Sequence, residues 1–125
     1  LIESDPNREP LCLFPEGCTT NGVGLIEFKK GAFAGLNSIM PMVYTYQSYF
    51  QQPSSGIVDG LPMYLIGSSI PFSFATRNYL PVFRPNDYFF EHHQKEGEEK
   101  WETYARVIQK LMAEVGNFPI YDQSI

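Results

Sequence analysis

The stretch Leu11-Cys12-Leu13-Phe14-Pro15-Glu16-Gly17-Cys18-Thr19-Thr20-Asn21-Gly22-Val23-Gly24 sets the reading of the fold. Four apolar residues in a row, stopped by a proline that cannot donate to a ladder, predict a short strand buried on both faces. Cys12, inside that run, is expected in the core. Beyond Pro15, residues 16–24 hold three glycines, two threonines and an asparagine, which is the composition of a loop. A buried strand emptying into a glycine-rich loop opens an α/β unit.

Working outward, residues 1–10 are polar with two prolines and read as an entry segment. Residues 26–36 predict a short helix containing Phe28 and Phe33, weakened by Gly31. Residues 38–46 are rich in β-formers and predict a second strand, and residues 78–83 a third that ends at Arg84-Pro85-Asn86-Asp87. Between them, residues 47–60 read as a polar turn region around Pro53-Ser54-Ser55-Gly56. The clearest helix is the last: Trp101, Tyr104, Ala105, Ile108, Leu111, Met112 and Val115 recur at steps of three and four. Glutamates before it suit its N-terminal dipole, and Gly116 fits the C′ position. The expected fold class is therefore α/β, a partial mixed sheet flanked by helices. With about three strands visible, the sheet is expected to continue outside this sequence.

At 125 residues and 14.3 kDa, the chain is long enough for one domain with its own core. Nine basic against fourteen acidic residues give a net charge of −5, which argues against general nucleic-acid binding. Two cysteines make no disulfide framework, so a reducing, intracellular compartment is expected. The chain opens at Leu1 without methionine or signal peptide and reads as a piece of something longer. Charge is also unevenly spread. From residue 31 to 76 the only charged residue is Asp59, among eight aromatics. Residues 91–102 hold five acids and two lysines, expected as a solvated loop running into the last helix. The uncharged residues 61–75 are too short and too rich in proline and serine to span a bilayer. Two readings stay open for them: buried core, or a surface lying in a membrane interface.

Phe14-Pro15-Glu16-Gly17-Cys18-Thr19-Thr20-Asn21, followed by Phe28-Lys29-Lys30-Gly31-Ala32-Phe33, resembles the phosphate-binding block of the glycerolipid (lysophosphatidic acid type) acyltransferases. The lysophosphatidylcholine acyltransferase-like branch is the most similar. Ile39-Met40-Pro41-Met42-Val43 is similar to the family's proline-centred strand, and Tyr79-Leu80-Pro81-Val82-Phe83-Arg84-Pro85-Asn86-Asp87 to its late strand and turn. The helix at 101–115, with Gly116-Asn117-Phe118-Pro119 after it, resembles the end of the same domain. The resemblance runs in order over nearly all of residues 11–122. It implies that residues 1–125 are a single partial acyltransferase domain, the C-terminal portion of the glycerolipid acyltransferase fold.

The resemblance further implies transfer of a fatty acyl group from acyl-CoA, as co-substrate without another cofactor, to a lysophospholipid or glycerol phosphate hydroxyl. The family's catalytic signature is a histidine and an aspartate separated by four residues, upstream of Pro-Glu-Gly. The histidine is the general base and the aspartate orients it. This chain lacks that pair: five positions beyond His92 and His93 stand Gly97 and Glu98. The two histidines read as solvated loop residues without metal-site company. The catalytic segment is thus expected on preceding sequence or another subunit.

Acceptor recognition is the chemistry left to this segment. A phosphate needs backbone N–H donors from a glycine-containing turn and a cation. Glu16, Gly17, Cys18 and Thr19 are the expected turn, Lys29 the cation with Lys30 second, and Gly31 part of the same site. Phe14, Pro15 and Pro41 are expected to support it. Glu16 cannot bind phosphate by charge; the resemblance implies that it accepts a hydrogen bond from an acceptor hydroxyl or anchors the loop. Cys18 stands where the family usually has threonine, and Thr19 where many members carry arginine. Expected partners are acyl-CoA, a lysophospholipid, a membrane surface, and the preceding segment or other subunits, with no nucleic acid. The implied location is intracellular and membrane-associated, at endoplasmic reticulum or mitochondrion. A non-catalytic, acyltransferase-derived subunit of a membrane assembly is the alternative.

Overall fold

The computed structural model describes residues 9–18, 20, 22–48, 61–69 and 72–121. Its elements run β1 (Met42–Ser48), α1 (Leu61–Ser69), β2 (Ser73–Tyr79), α2 (Asp87–His93) and α3 (Lys100–Gly116), preceded by one 3-10 turn at Lys30–Ala32. β1 and β2 pair antiparallel, with Met42 opposite Tyr79 and Ser48 opposite Ser73. Along β1, Val43 is buried while Tyr44 and Tyr46 are exposed, the period-two pattern of a half-covered strand. Below the ladder, Ile39 and Phe83 exchange both backbone hydrogen bonds, at 2.8 and 2.9 Å. Leu25 and Ile120 form an isolated parallel bridge.

The strands expected at 38–46 and 78–83 are thus one antiparallel ladder, displaced toward the hairpin. Pro41 and Pro81 have no N–H to give, so regular pairing breaks beside them and resumes only at the Ile39–Phe83 bridge. The sheet among the described residues is two-stranded and antiparallel, not the mixed sheet expected. Residues 11–14 form no strand, since none of the described strands lies beside them. Leu11, Leu13 and Phe14 are exposed, Phe14 by 83%, and Cys12 is exposed rather than core. What stands is an α/β fragment.

α3 organises the packing. Glu99 and Glu102 form a capping box at its start, the Glu99 amide donating to Glu102 Oε2 at 2.9 Å. Its end differs from expectation: Gly116 is still helical, and Asn117, at φ 52°, takes the left-handed position. Gly116 is required by space instead, because a Cβ there would lie 2.4 Å from the Phe118 ring. On the buried face, Tyr104 and Ile108 are wholly enclosed among Phe28, Phe33, Phe89, Phe90 and Ala105. The Tyr104 hydroxyl donates to the carbonyls of Asn37 at 3.0 Å and Phe83 at 3.3 Å. One side chain therefore ties α3 to the segments on either side of the hairpin.

α2 falls where turn and loop were expected. Asn86 Oδ1 accepts from the Phe89 amide at 2.8 Å and starts the helix. Phe89 and Phe90 then enter the core. His92 and His93 occupy the last turn of α2, exposed, instead of a loop. The acidic segment after it is pinned as well: Arg106 Nε donates to Glu98 Oε1 at 2.8 Å, and its Nη2 to Glu98 Oε2 at 3.0 Å and the His93 carbonyl at 2.7 Å.

Candidate functional site

Residues 26–36 are an extended segment ending in the 3-10 turn, not a helix. Phe28 and Phe33 both reach the core, where their rings stack 5.9 Å apart and Phe33 meets Tyr104 edge-on at 5.3 Å. With its two phenylalanines anchored inward, the segment arches between them and carries Lys29, Lys30 and Gly31 toward the surface. This is the physical content of the Phe-Lys-x-Gly-Ala-Phe spacing.

The Pro-Glu-Gly turn docks on that arch. The Gly17 amide donates to the Phe14 carbonyl at 3.1 Å, closing the turn, and the Lys29 amide donates to the Pro15 carbonyl at 2.8 Å. Gly17 sits at φ 70°, and a Cβ there would lie 3.3 Å from Lys29 Cγ. Its left-handed backbone favours glycine, and the close approach of the Lys29 side chain leaves little room for a Cβ. Glu16 is half-buried, and its Oε1 accepts from the Ile26 amide at 3.1 Å. Burial pushes its carboxyl above the ordinary glutamate value, while the Ile26 amide opposes the rise. The Ile26 carbonyl in turn accepts from Gln109 Nε2 of α3 at 2.7 Å. Glu16 is thus an anchor of its own loop, one of the two roles expected for it, and Gln109 is a support that the sequence did not reveal. A polar residue beside the apolar stripe of a helix was the available signal.

The two lysines part company. Lys29 stays at the turn, half-exposed, with Glu27 Oε2 at 3.8 Å. Lys30 turns toward α3, pairing with Glu99 at 3.3 Å and lying 5.3 Å from the Trp101 ring centre. Lys30 is thus engaged at the start of α3 rather than at the turn. Cys18 is exposed and free. Gly31 is exposed, and a Cβ there would meet nothing within 4 Å. Phe14 lends the turn its carbonyl, not its ring. Pro15 is half-buried, and Pro41 is buried with its carbonyl accepting from the Leu80 amide at 3.0 Å. Thr19 lies outside the described residues. No group of metal-ligating side chains occurs among those described.

Similarity to known proteins points the same way. The chain is 29% identical over 116 residues to lysophospholipid acyltransferase LPEAT1 of Arabidopsis thaliana, covering 91% of this chain and 27% of that protein. It is 38% identical over 77 residues to lysophospholipid acyltransferase LPEAT2 of the same plant, covering 62% of this chain and 14% of that protein. It is also 31% identical over 111 residues to the lipid droplet-regulating VLDL assembly factor AUP1 of Danio rerio, covering 88% of this chain and 24% of that protein. No family model and no solved structure matches. The ordered motif blocks and these relatives support the acyltransferase family, with this chain matching its C-terminal part. More narrowly, two of the three relatives are lysophospholipid acyltransferases by name. It spans about a quarter or less of the length of the curated relatives it matches.

Proposed function

We propose that this chain is part of an acyl-CoA-dependent acyltransferase that moves a fatty acyl group to a lysophospholipid or glycerol phosphate hydroxyl. In this reading the Glu16-Gly17-Cys18 turn and Lys29 receive the phosphate of the acceptor. The observation that carries it is the 2.8 Å bond from the Lys29 amide to the Pro15 carbonyl. That bond keeps a cation beside a positive-φ glycine turn, as an anion needs. The anchored Glu16 fixes the turn's shape without facing the phosphate. The general base belongs to sequence outside this chain, because no histidine here has an aspartate five positions on. A lipid acceptor further puts the parent protein at a membrane. No helix among the described residues is long and apolar enough to cross one, so this segment's contact would be peripheral.

The test is Lys29→Ala in the full-length protein. Losing one charge-assisted hydrogen bond is worth about 1.5–3 kcal/mol, so acceptor KM rises roughly 10- to 150-fold while KM for acyl-CoA moves less. An unchanged acceptor KM in a folded variant removes Lys29 from the site.

The similarity to AUP1, named as an assembly factor and not as an enzyme, favours a second reading: a non-catalytic subunit of a membrane assembly. A His-x4-Asp upstream in the full reading frame, with turnover by the full-length protein, decides for the enzyme. The 125-residue chain alone is expected to turn nothing over.

A further inference from the structure

Between Ile26 and Lys30 the chain is tied to α3 at both ends. Gln109 Nε2 donates to the Ile26 carbonyl at 2.7 Å, and Lys30 Nζ meets Glu99 Oε2 at 3.3 Å. The four residue steps from Ile26 to Lys30 cover about 13 Å of extended chain, and the ten from Glu99 to Gln109 about 15 Å of helix. The spans match, so this stretch lies lengthwise on α3 and runs against it. Midway, Phe28 enters the same buried cluster as Tyr104 and Ile108, and Ile26 is buried as well. Glu27 and Lys29 alternate with them and face outward, their charged groups 3.8 Å apart.

The two ties are not equal. The Lys30–Glu99 pair is exposed, and such pairs contribute little. Gln109 is half-buried, and it holds a residue whose own amide is already bound by Glu16 of the candidate phosphate turn, at 3.1 Å. The Lys29 amide binds the Pro15 carbonyl of the same turn at 2.8 Å. Turn and arch are therefore joined twice, at Ile26 and at Lys29, and Ile26 carries the connection onward to the helix. Burial of Ile26 and Phe28 sets how deep the arch sits but not its rotation, because apolar attraction has no direction. A hydrogen bond has one. An aliphatic side chain at 109 would serve packing alone, whereas glutamine adds the direction. We infer that Gln109 is a positioning residue of the candidate acceptor site: through the Ile26 carbonyl it holds the arch in the orientation that sets Lys29 against the Glu16-Gly17-Cys18 turn. The inference rests on the reading of that turn and Lys29 as the place of the acceptor's phosphate.

The test is Gln109→Met in the full-length protein, which keeps the side-chain stem and removes the donor, with Gln109→Lys returning a donor. Amide hydrogen exchange is followed over residues 24–33, and kcat and both KM values are measured with acyl-CoA and a panel of short-chain lysophospholipids. Gln109→Met should give severalfold faster exchange over 24–33 and a severalfold higher acceptor KM. kcat and acyl-CoA KM should barely move, and Gln109→Lys should reverse both effects. Glu98→Gln, which weakens bonds to Arg106 and Thr103 instead, should lower the melting temperature and leave acceptor KM alone. Unchanged exchange in Gln109→Met overturns the inference, and so do equal rises in the two KM values. With Lys29→Ala run in parallel, a higher acceptor KM in that variant but not in Gln109→Met defeats the positioning role alone. An acceptor KM unmoved by Lys29→Ala, or no turnover by the full-length protein, defeats the phosphate reading and the inference with it.

Discussion

The Glu16 carboxylate accepts the Ile26 amide at 3.1 Å, ten residues along the chain, while the Ile26 carbonyl takes the side chain of Gln109 at 2.7 Å. A single residue of an extended segment is thereby clamped from both sides, by the candidate phosphate turn and by the last helix. The turn's position is set by α3 as much as by its own glycine.

Two substitutions separate the charge of Glu16 from its bond. Glu16→Ala strands a buried-residue amide and should cost about 1–3 kcal/mol, whereas Glu16→Gln keeps an acceptor and should cost little. Gln109→Ala should cost about 1 kcal/mol, and its effect should not add independently to that of Glu16→Ala, because both act on Ile26. The pH dependence has a definite sign. With the folded carboxyl raised by burial, the folded state holds a proton that the unfolded state has lost, in the window from the ordinary glutamate value up to the folded one. Stability therefore falls as pH rises through that window, and Glu16→Gln should abolish the slope. Thermal melting across pH, for the wild type and the three variants, measures all of this.

Glu98 gives the opposite slope at lower pH. Hydrogen bonds from Arg106 first, then from the Lys95 amide and the Thr103 hydroxyl, hold its carboxyl at about 2 against the resisting effect of burial. A depressed carboxyl contributes stability that is present above the unfolded value, 4.5, and is lost as pH falls toward 2. Acid titration followed by circular dichroism should show Glu98→Gln losing part of that acid-dependent loss, at the cost of lower stability at neutral pH. Arg106→Ala should be the worse variant, because it leaves a largely enclosed carboxylate without its cation. Equal acid profiles for wild type and Glu98→Gln would refute the assignment.

What the sequence made legible depends on where the deciding interaction lies. α3 was readable because its apolar stripe and the glutamates before it are local to the helix, and the structure adds the Glu99–Glu102 capping box there. Its final glycine was misplaced because a left-handed asparagine serves as well, and Gly116 answers to the Phe118 ring. α2 carried a local signal, Asn86 before Asp87, outweighed by the turn-forming Arg84-Pro85-Asn86 context. The segment at 26–36 was misread because its apolar composition allows a short helix, although Phe28 and Phe33, five apart, do not share a helix face, and both instead anchor an arch on the core at Tyr104. The run at 11–14 has strand composition, but a strand needs a neighbour to pair with, which composition cannot supply. The residues of the candidate phosphate turn were nameable from their motif, while the clamp by Gln109 is purely tertiary.

The two readings left open for residues 61–75 now make different melting curves. Tyr64 is 72% and Phe72 75% exposed, so Tyr64→Ser with Phe72→Ser should leave the melting temperature nearly unchanged. Tyr104→Phe removes the only hydroxyl reaching both the Asn37 and Phe83 carbonyls among the described contacts and should cost about 1–3 kcal/mol. Phe33→Ala, in the same core, should cost about 3–5 kcal/mol. A large melting loss from the Tyr64 and Phe72 pair would return residues 61–75 to a core.

Gly31 separates a structural glycine from a functional one. A Cβ at Gly24 would lie 2.4 Å from the Tyr121 ring and 2.5 Å from the Pro119 carbonyl oxygen, so Gly24→Ala must push apart the two segments joined by the Leu25–Ile120 bridge. Gly31 has no such reason: a Cβ there meets nothing within 4 Å, and its φ is not in the left-handed region. On packing alone, Gly31→Ala should be neutral, or stabilising by about 0.4–1 kcal/mol through the unfolded chain's lost freedom. A glycine unnecessary for the fold, two residues from Lys29 on the exposed arch, fits a ligand that approaches the backbone closely. Gly31→Ala in the full-length protein should therefore raise acceptor KM with no fall in melting temperature, whereas Gly24→Ala should lower the melting temperature first. If Gly31→Ala leaves acceptor KM untouched, the phosphate does not approach the arch there, and the site narrows to the Glu16-Gly17-Cys18 turn and Lys29.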